Sequence, residues 1–190
     1  MRVQTDPCSR IEDLSALASE IRVSLEMLGE RVGSDARLFV SSPIAIYVGG
    51  MPKARTPISQ VVKRSAWRRI VSADAEPVAL IDQPIAADDR RGTLSVRPRE
   101  AALALLRALE RVDSLPTPTS SHYRLRFVSF PHLYVTAVWI SAAHSLFIPT
   151  RRGHPDRPAP EVLSESSFRS LLLRKANSRR ASKARGRERQ

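Results

Sequence analysis

Residues 123–130, Tyr-Arg-Leu-Arg-Phe-Val-Ser-Phe, and residues 133–140, Leu-Tyr-Val-Thr-Ala-Val-Trp-Ile, lie on either side of Pro131-His132. In the first run Tyr123, Leu125 and Phe127 alternate with Arg124 and Arg126, the period of two expected of a strand with one buried face. The second run is apolar at odd and even positions alike, which a strand tolerates only where both of its faces are covered. The pair therefore reads as neighbouring strands, the second central and the first nearer an edge. Leu146-Phe147-Ile148 adds a third strand that Pro149 stops, and residues 150–160 form a proline-rich basic loop. Ser164 is placed to cap a last helix with Phe168, Leu171, Leu172 and the stem of Lys175 on its inner stripe.

Upstream, residues 67–71 and 78–81 flank Ala73-Asp74-Ala75-Glu76-Pro77 and read as an antiparallel hairpin. Residues 98–112 return to helical spacing through Ala102, Leu105, Leu106, Leu109 and Val112, with Pro98 at the start. Residues 115–121 are a linker candidate, because their prolines hold the chain extended. On either side of it, residues 67–112 and 123–175 share a coarse order of paired strands, a further short strand or loop, then a helix. Side-chain identity is not repeated between the two halves.

Near the N-terminus Ile11, Leu14, Ala18, Ile21, Leu25, Leu28 and Val32 recur at steps of three and four. That spacing predicts an amphipathic helix over residues 10–32, opened by a Ser9/Glu12 capping box and closed by Gly29 or Gly33. Its seam, Ile11, Leu14, Ile21, Leu25 and Leu28, packs either on its own domain or on a second copy or partner protein. Residues 37–40 and 44–48 are two short strands broken by Ser41-Ser42-Pro43, and Thr56-Pro57 opens a brief helix to about residue 64. The expected architecture is α+β: an antiparallel sheet covered on one face by helices, within a single domain over residues 1–176. Residues 177–190 are expected to be a disordered basic tail.

Charge bears most directly on function. The chain of 190 residues has a formal net charge of +12, of which residues 174–190 carry +7 through eight Lys/Arg against Glu188. Such a stretch attracts polyanions without base specificity, since each neutralised phosphate releases counterions. The expected function is non-enzymatic binding of an acidic macromolecule, above all nucleic acid. The tail residues Arg179, Arg180, Lys183, Arg185, Arg187 and Arg189 would carry it, assisted by Arg64, Arg68 and Arg69 beside the Gly49-Gly50 loop. That loop has neither the P-loop nor the dinucleotide-binding spacing. A third basic cluster, Arg151, Arg152, His154 and Arg157, sits in the proline-rich loop.

Enzymatic and metal chemistry find little support. None of His122, His132, His144 and His154 has a helical partner at the spacing a zinc site needs, and the single Cys8 allows no intramolecular disulfide. No metal or cofactor is expected, and the enzyme alternative is a loop-built site around Asp82, His144 and His154. No apolar run reaches the roughly 18 to 20 residues of a membrane span, so the expectation is a soluble, cytoplasmic protein. The aromatics Tyr123, Phe127, Phe130, Tyr134 and Trp139 cluster in the two C-terminal strands, where core packing is the simpler reading and base stacking the functional one.

Overall fold

A computed structural model describes residues 3–4, 14–29, 32–33, 35–52, 55–85, 94–116, 123–150 and 161–187. Among these, ten strands form one sheet, mostly antiparallel, and four α-helices accompany it. The strands are β1 (Val3–Gln4), β2 (Leu38–Val40), β3 (Ile44–Gly49), β4 (Val62–Ala73), β5 (Glu76–Pro84), β6 (Ser95–Arg97), β7 (Tyr123–Phe130), β8 (Val135–Ser141), β9 (Leu146–Pro149) and β10 (Leu163–Ser164). The helices are α1 (Leu14–Met27), α2 (Ile58–Val61), α3 (Arg99–Asp113) and α4 (Glu165–Arg187).

The strand order β10-β9-β8-β7-β3-β4-β5-β6 resolves into two antiparallel meanders. Strands β3 to β6 are followed by α3, strands β7 to β10 by α4, and the meanders meet where β3 and β7 run parallel. The expected echo between the halves thus corresponds to a common strand–strand–strand–strand–helix order. The two helices, however, lie on opposite faces. Ala102, Leu105, Ala108 and Val112 of α3 pack on Ile46, Ile70, Leu80, Phe127 and Val138, a surface called here the near face. Phe168, Leu172 and Ala176 of α4 pack on Phe130, Ala137, Trp139 and Phe147 of the far face. Ile21 and Leu25 of α1 meet Val71, Ala79 and Ile81, also on the far face.

The expectation of helices on one face is therefore corrected to helices on both. The cause lies in the strands, since β8 buries Val138 and Ile140 on one side and Ala137 and Trp139 on the other, so each side requires a cover. Strand β7 is likewise interior rather than near an edge, flanked by β8 and by β3. Its arginines mark a polar position on the far face, where the Arg126 guanidinium lies 4.9 and 5.0 Å from the ring centres of Tyr47 and Trp139. Residues 177–187 also depart from expectation, because α4 continues through them as helix to Arg187. Once Phe168 and Leu172 have docked the first turns, the nucleation cost is already met, and a run without proline or β-branched residues can continue the helix.

Local chemistry accounts for the remaining boundaries. Helix α1 is shorter than expected, ending at Met27 before Gly29, whose φ of 75° makes the left-handed stop. The brief helix after Pro57 ends at Val61, because Val62 already pairs with Gly49 in the sheet. Gly49 is required there, since a Cβ would overlap the Phe130 ring. Ser41 carries the ladder across the Ser-Ser-Pro break: its N–H donates to the Ile70 carbonyl at 2.9 Å and its Oγ accepts from the Ile70 N–H at 2.9 Å.

The β4–β5 hairpin turns on Asp74 and Ala75, with φ of 49° and 70°. Both central residues have the positive φ of a tight two-residue hairpin turn, and an alanine there is strained by about 1 kcal/mol. Ala75→Gly is expected to raise stability by about 0.5 kcal/mol after glycine's greater unfolded-state entropy is subtracted. Thermal unfolding checks this, and a melting temperature lowered by the substitution contradicts it.

Candidate functional site

The near face carries a polar cluster at the β4–β5–β6 side. Arg68 and Asp82 are directly opposite across β4 and β5, and Arg97 pairs with Leu80, one diagonal step from Asp82. Arg68 Nε and Nη2 donate to the two Asp82 oxygens at 2.6 and 2.7 Å, and Arg97 Nε donates to Oδ2 at 2.8 Å. The Arg68 guanidinium also lies 3.9 Å from the Phe127 ring centre. Arg68 and Asp82 are buried at 5% and 7% exposure, whereas the Arg97 side chain is 44% exposed. Burial raises the Asp82 pKa, yet hydrogen bonds and charge from Arg68, then Arg97, outweigh it and hold the carboxyl below its ordinary 3.8.

Beside this cluster opens a cleft of about 890 Å³. On one side it is lined by Ala101, Ala104 and Leu105 of α3 and by Leu80 and Phe127 of the sheet. By contrast α4 fills its own interface with rings, Phe168 stacking on Phe147 at 4.4 Å and Phe147 on Trp139 at 5.9 Å. Toward the β7–β8 turn the cleft is lined by Ser129, Thr136, Thr150, Tyr134 and Lys175. The Thr136 and Thr150 hydroxyls are 2.7 Å apart and hydrogen-bonded. Cationic groups thus reach the cleft from β4, β6 and α4, and none of its lining residues is an aspartate or glutamate.

Helix α4 presents its basic residues from a fixed base. Ser164 Oγ accepts from the Ser167 N–H at 3.2 Å, capping the first turn. Glu165 accepts from the Ile58 N–H at 2.7 Å and ties that turn to α2. With Phe168, Leu172 and Ala176 inside, Arg174, Lys175, Arg179 and Arg180 are left exposed. Arg179 donates to the His132 carbonyl, and its guanidinium lies 4.2 Å from the Tyr134 ring centre at the cleft mouth.

The three internal arginines assigned from sequence separate. Arg68 points into the near face and is engaged by Asp82, so its guanidinium serves the core rather than an external phosphate. Arg69 lies on the opposite face, half-buried, with Nη1 donating to the Ser41 carbonyl at 3.4 Å. Arg64 is exposed and stacks over Trp67 at 5.2 Å. Of the tail residues, Arg179 and Arg180 are exposed on α4, Lys183, Arg185 and Arg187 continue its backbone, and Arg189 lies outside the described residues. The cluster of Arg151, Arg152, His154 and Arg157 also lies outside them.

Two residues of the helical seam turn inward. Ile21 and Leu25 are fully buried in their own domain, and Leu28 is 43% exposed in the turn after α1. Leu14 begins the helix and Ile11 lies outside the described residues. Of the enzyme alternative, Asp82 is held by two arginines, His144 is exposed in the β8–β9 turn, and His154 is outside the described residues. Among the described residues no three His, Cys, Asp or Glu side chains are grouped to hold a metal ion, and no helix is long and apolar enough to cross a membrane.

Arg97 is not among the residues singled out by the sequence, and Tyr134 stands there only within the aromatic group whose simpler reading is core packing. Arg97 carried one usable signal, its place in a β-rich triplet just before Pro98 and α3. Comparison with protein-family models, with curated proteins and with solved structures gives no match.

Proposed function

We propose that this chain is a non-enzymatic binding protein for nucleic acid, holding the phosphate backbone along α4 and the adjoining cleft. The observation that carries the reading is that Lys175 and the half-exposed Arg97, itself paired with Asp82, line a cleft with no aspartate or glutamate among its lining residues, while Arg179 stands over Tyr134 at its mouth. Arg180 is exposed on the same helix, whose backbone continues through Lys183, Arg185 and Arg187. Contacts of this kind fix position and supply affinity, while carrying no base information.

The test is a salt titration of oligonucleotide binding. For the full chain the logarithm of the association constant should fall linearly with the logarithm of salt concentration. A chain ending at Ala176 lacks Arg179, Arg180, Lys183, Arg185, Arg187 and Arg189. If these meet phosphates, its slope on a single strand is shallower by as much as about 4, at roughly 0.7 per contact. The fold should persist, because Ala176 is the last residue of the buried stripe of α4. Equally weak binding by both chains at low salt would remove the proposal.

A further inference from the structure

Tyr134 is exposed where the aromatic residues of β7 and β8 are not. Tyr123, Phe127, Phe130 and Trp139 are all buried, whereas Tyr134 is 83% exposed. Its backbone is left-handed, with φ 52° and ψ 38°, directly after the 3-10 turn Pro131–Leu133, and its N–H donates to the Pro131 carbonyl at 3.2 Å. A tyrosine in that conformation is uncommon and strained, and burial of the ring does not compensate. Arg179 holds the ring by its guanidinium and is itself anchored on the His132 carbonyl. The ring borders the cleft, where Lys175 supplies a cation and Ser129, Thr136 and Thr150 supply hydroxyls.

From this arrangement we infer that Tyr134 is a stacking platform for an unpaired base, and that the cleft accepts a single strand in preference to a duplex. The inference rests on the nucleic-acid reading above and adds to it the form of nucleic acid. A splayed base has a π-face to lay on a presented ring, and its flanking phosphates then fall among Lys175 and Arg179. Bases in a duplex are already stacked on one another and offer no such face. Stacking tolerates any base, in keeping with a site whose other ligands are cations and hydroxyls.

The test uses the full chain with three fluorescein-labelled probes: an oligothymidylate, an abasic strand with the same number of phosphates, and a duplex. The oligothymidylate should bind more tightly than either of the others. Tyr134→Ala should weaken oligothymidylate about tenfold, to near the abasic affinity, without changing the salt slope. Tyr134→Phe should keep the affinity. Lys175→Gln should weaken both strands and make the slope shallower by about 0.7. If Tyr134→Ala binds oligothymidylate as the parent does, or if the abasic strand or duplex binds as tightly, the stacking role is overturned while phosphate binding stands. If none of the probes binds at low salt, both readings fall.

Discussion

Asp82→Ala is expected to lower the unfolding free energy by about 3–5 kcal/mol, because it strands Arg68 in the near-face core with its charge unmatched. Arg68 is 5% exposed, and both of its donors to Asp82 would lose their acceptor. Arg97 is less affected, since its half-exposed guanidinium can return to water. Replacing both members of the pair, Arg68→Leu with Asp82→Leu, should recover most of the loss, as removing both buried charges leaves nothing to desolvate. Urea unfolding measures all three chains. A loss below about 1 kcal/mol for Asp82→Ala would show that the pair is solvated and that the account of the core is mistaken.

The same carboxyl predicts a pH dependence. Its folded-state pKa lies below the ordinary value of 3.8, so its stabilising contribution is fully present above that value. It is withdrawn as pH falls through the lower folded-state pKa. The stability gap between the parent and Asp82→Asn should accordingly be constant from about pH 7 to 5 and narrow below about pH 4. A gap that widens on acidification would contradict the assignment of Asp82 as the charged partner.

Phe168→Ala is the second large effect, at about 3–5 kcal/mol. Phe168 is fully buried, stacks on Phe147 at 4.4 Å with the rings 4° from parallel, and meets Phe130 edge-on at 6.1 Å. Its removal opens a cavity at the point where α4 is fastened to the sheet, so the loss should be local as well as global. Hydrogen exchange should accelerate along α4 while the buried stripe of α3, on the other face, stays protected. Uniform protection in both helices would mean that Phe168 does not anchor α4. Salt-dependent binding should survive this substitution better than the truncation, because the cations remain on the chain.

Much of the secondary structure was legible because its signals are local. Alternation of Tyr123, Leu125 and Phe127 with Arg124 and Arg126 placed the first three together on the near face, as found. Spacing identified α3, and Ser164 with Phe168 and Leu172 identified the start of α4. The composition of residues 177–187 gave the wrong state, because it weighed missing core residues and not the helix already nucleated upstream.

The site was less legible, and the β4–β5 hairpin shows why. A two-residue turn at Asp74-Ala75 with unbroken pairing would set Arg68 opposite Ile81. The register instead shifts between Val71 and Ser72, leaving Val78 as an extra residue before Ala79, and Asp82 comes opposite Arg68. One bulge thus decides whether Arg68, which shares the near face with Ala66 and Ile70, has a carboxylate opposite it. Likewise nothing near Tyr134 in sequence announces Arg179, which approaches it only because α4 crosses the β7–β8 turn.

By itself, then, the amino-acid order determined periods, turns, caps and the gathering of positive charge toward one end. Tertiary structure alone decided the face each helix covers, the register of the hairpin, and which cations share the cleft. The physical reason is that alternation and helical spacing state which residues point the same way. They are unchanged when a strand is moved to another neighbour or a helix to the other face, and only packing between distant segments distinguishes those arrangements.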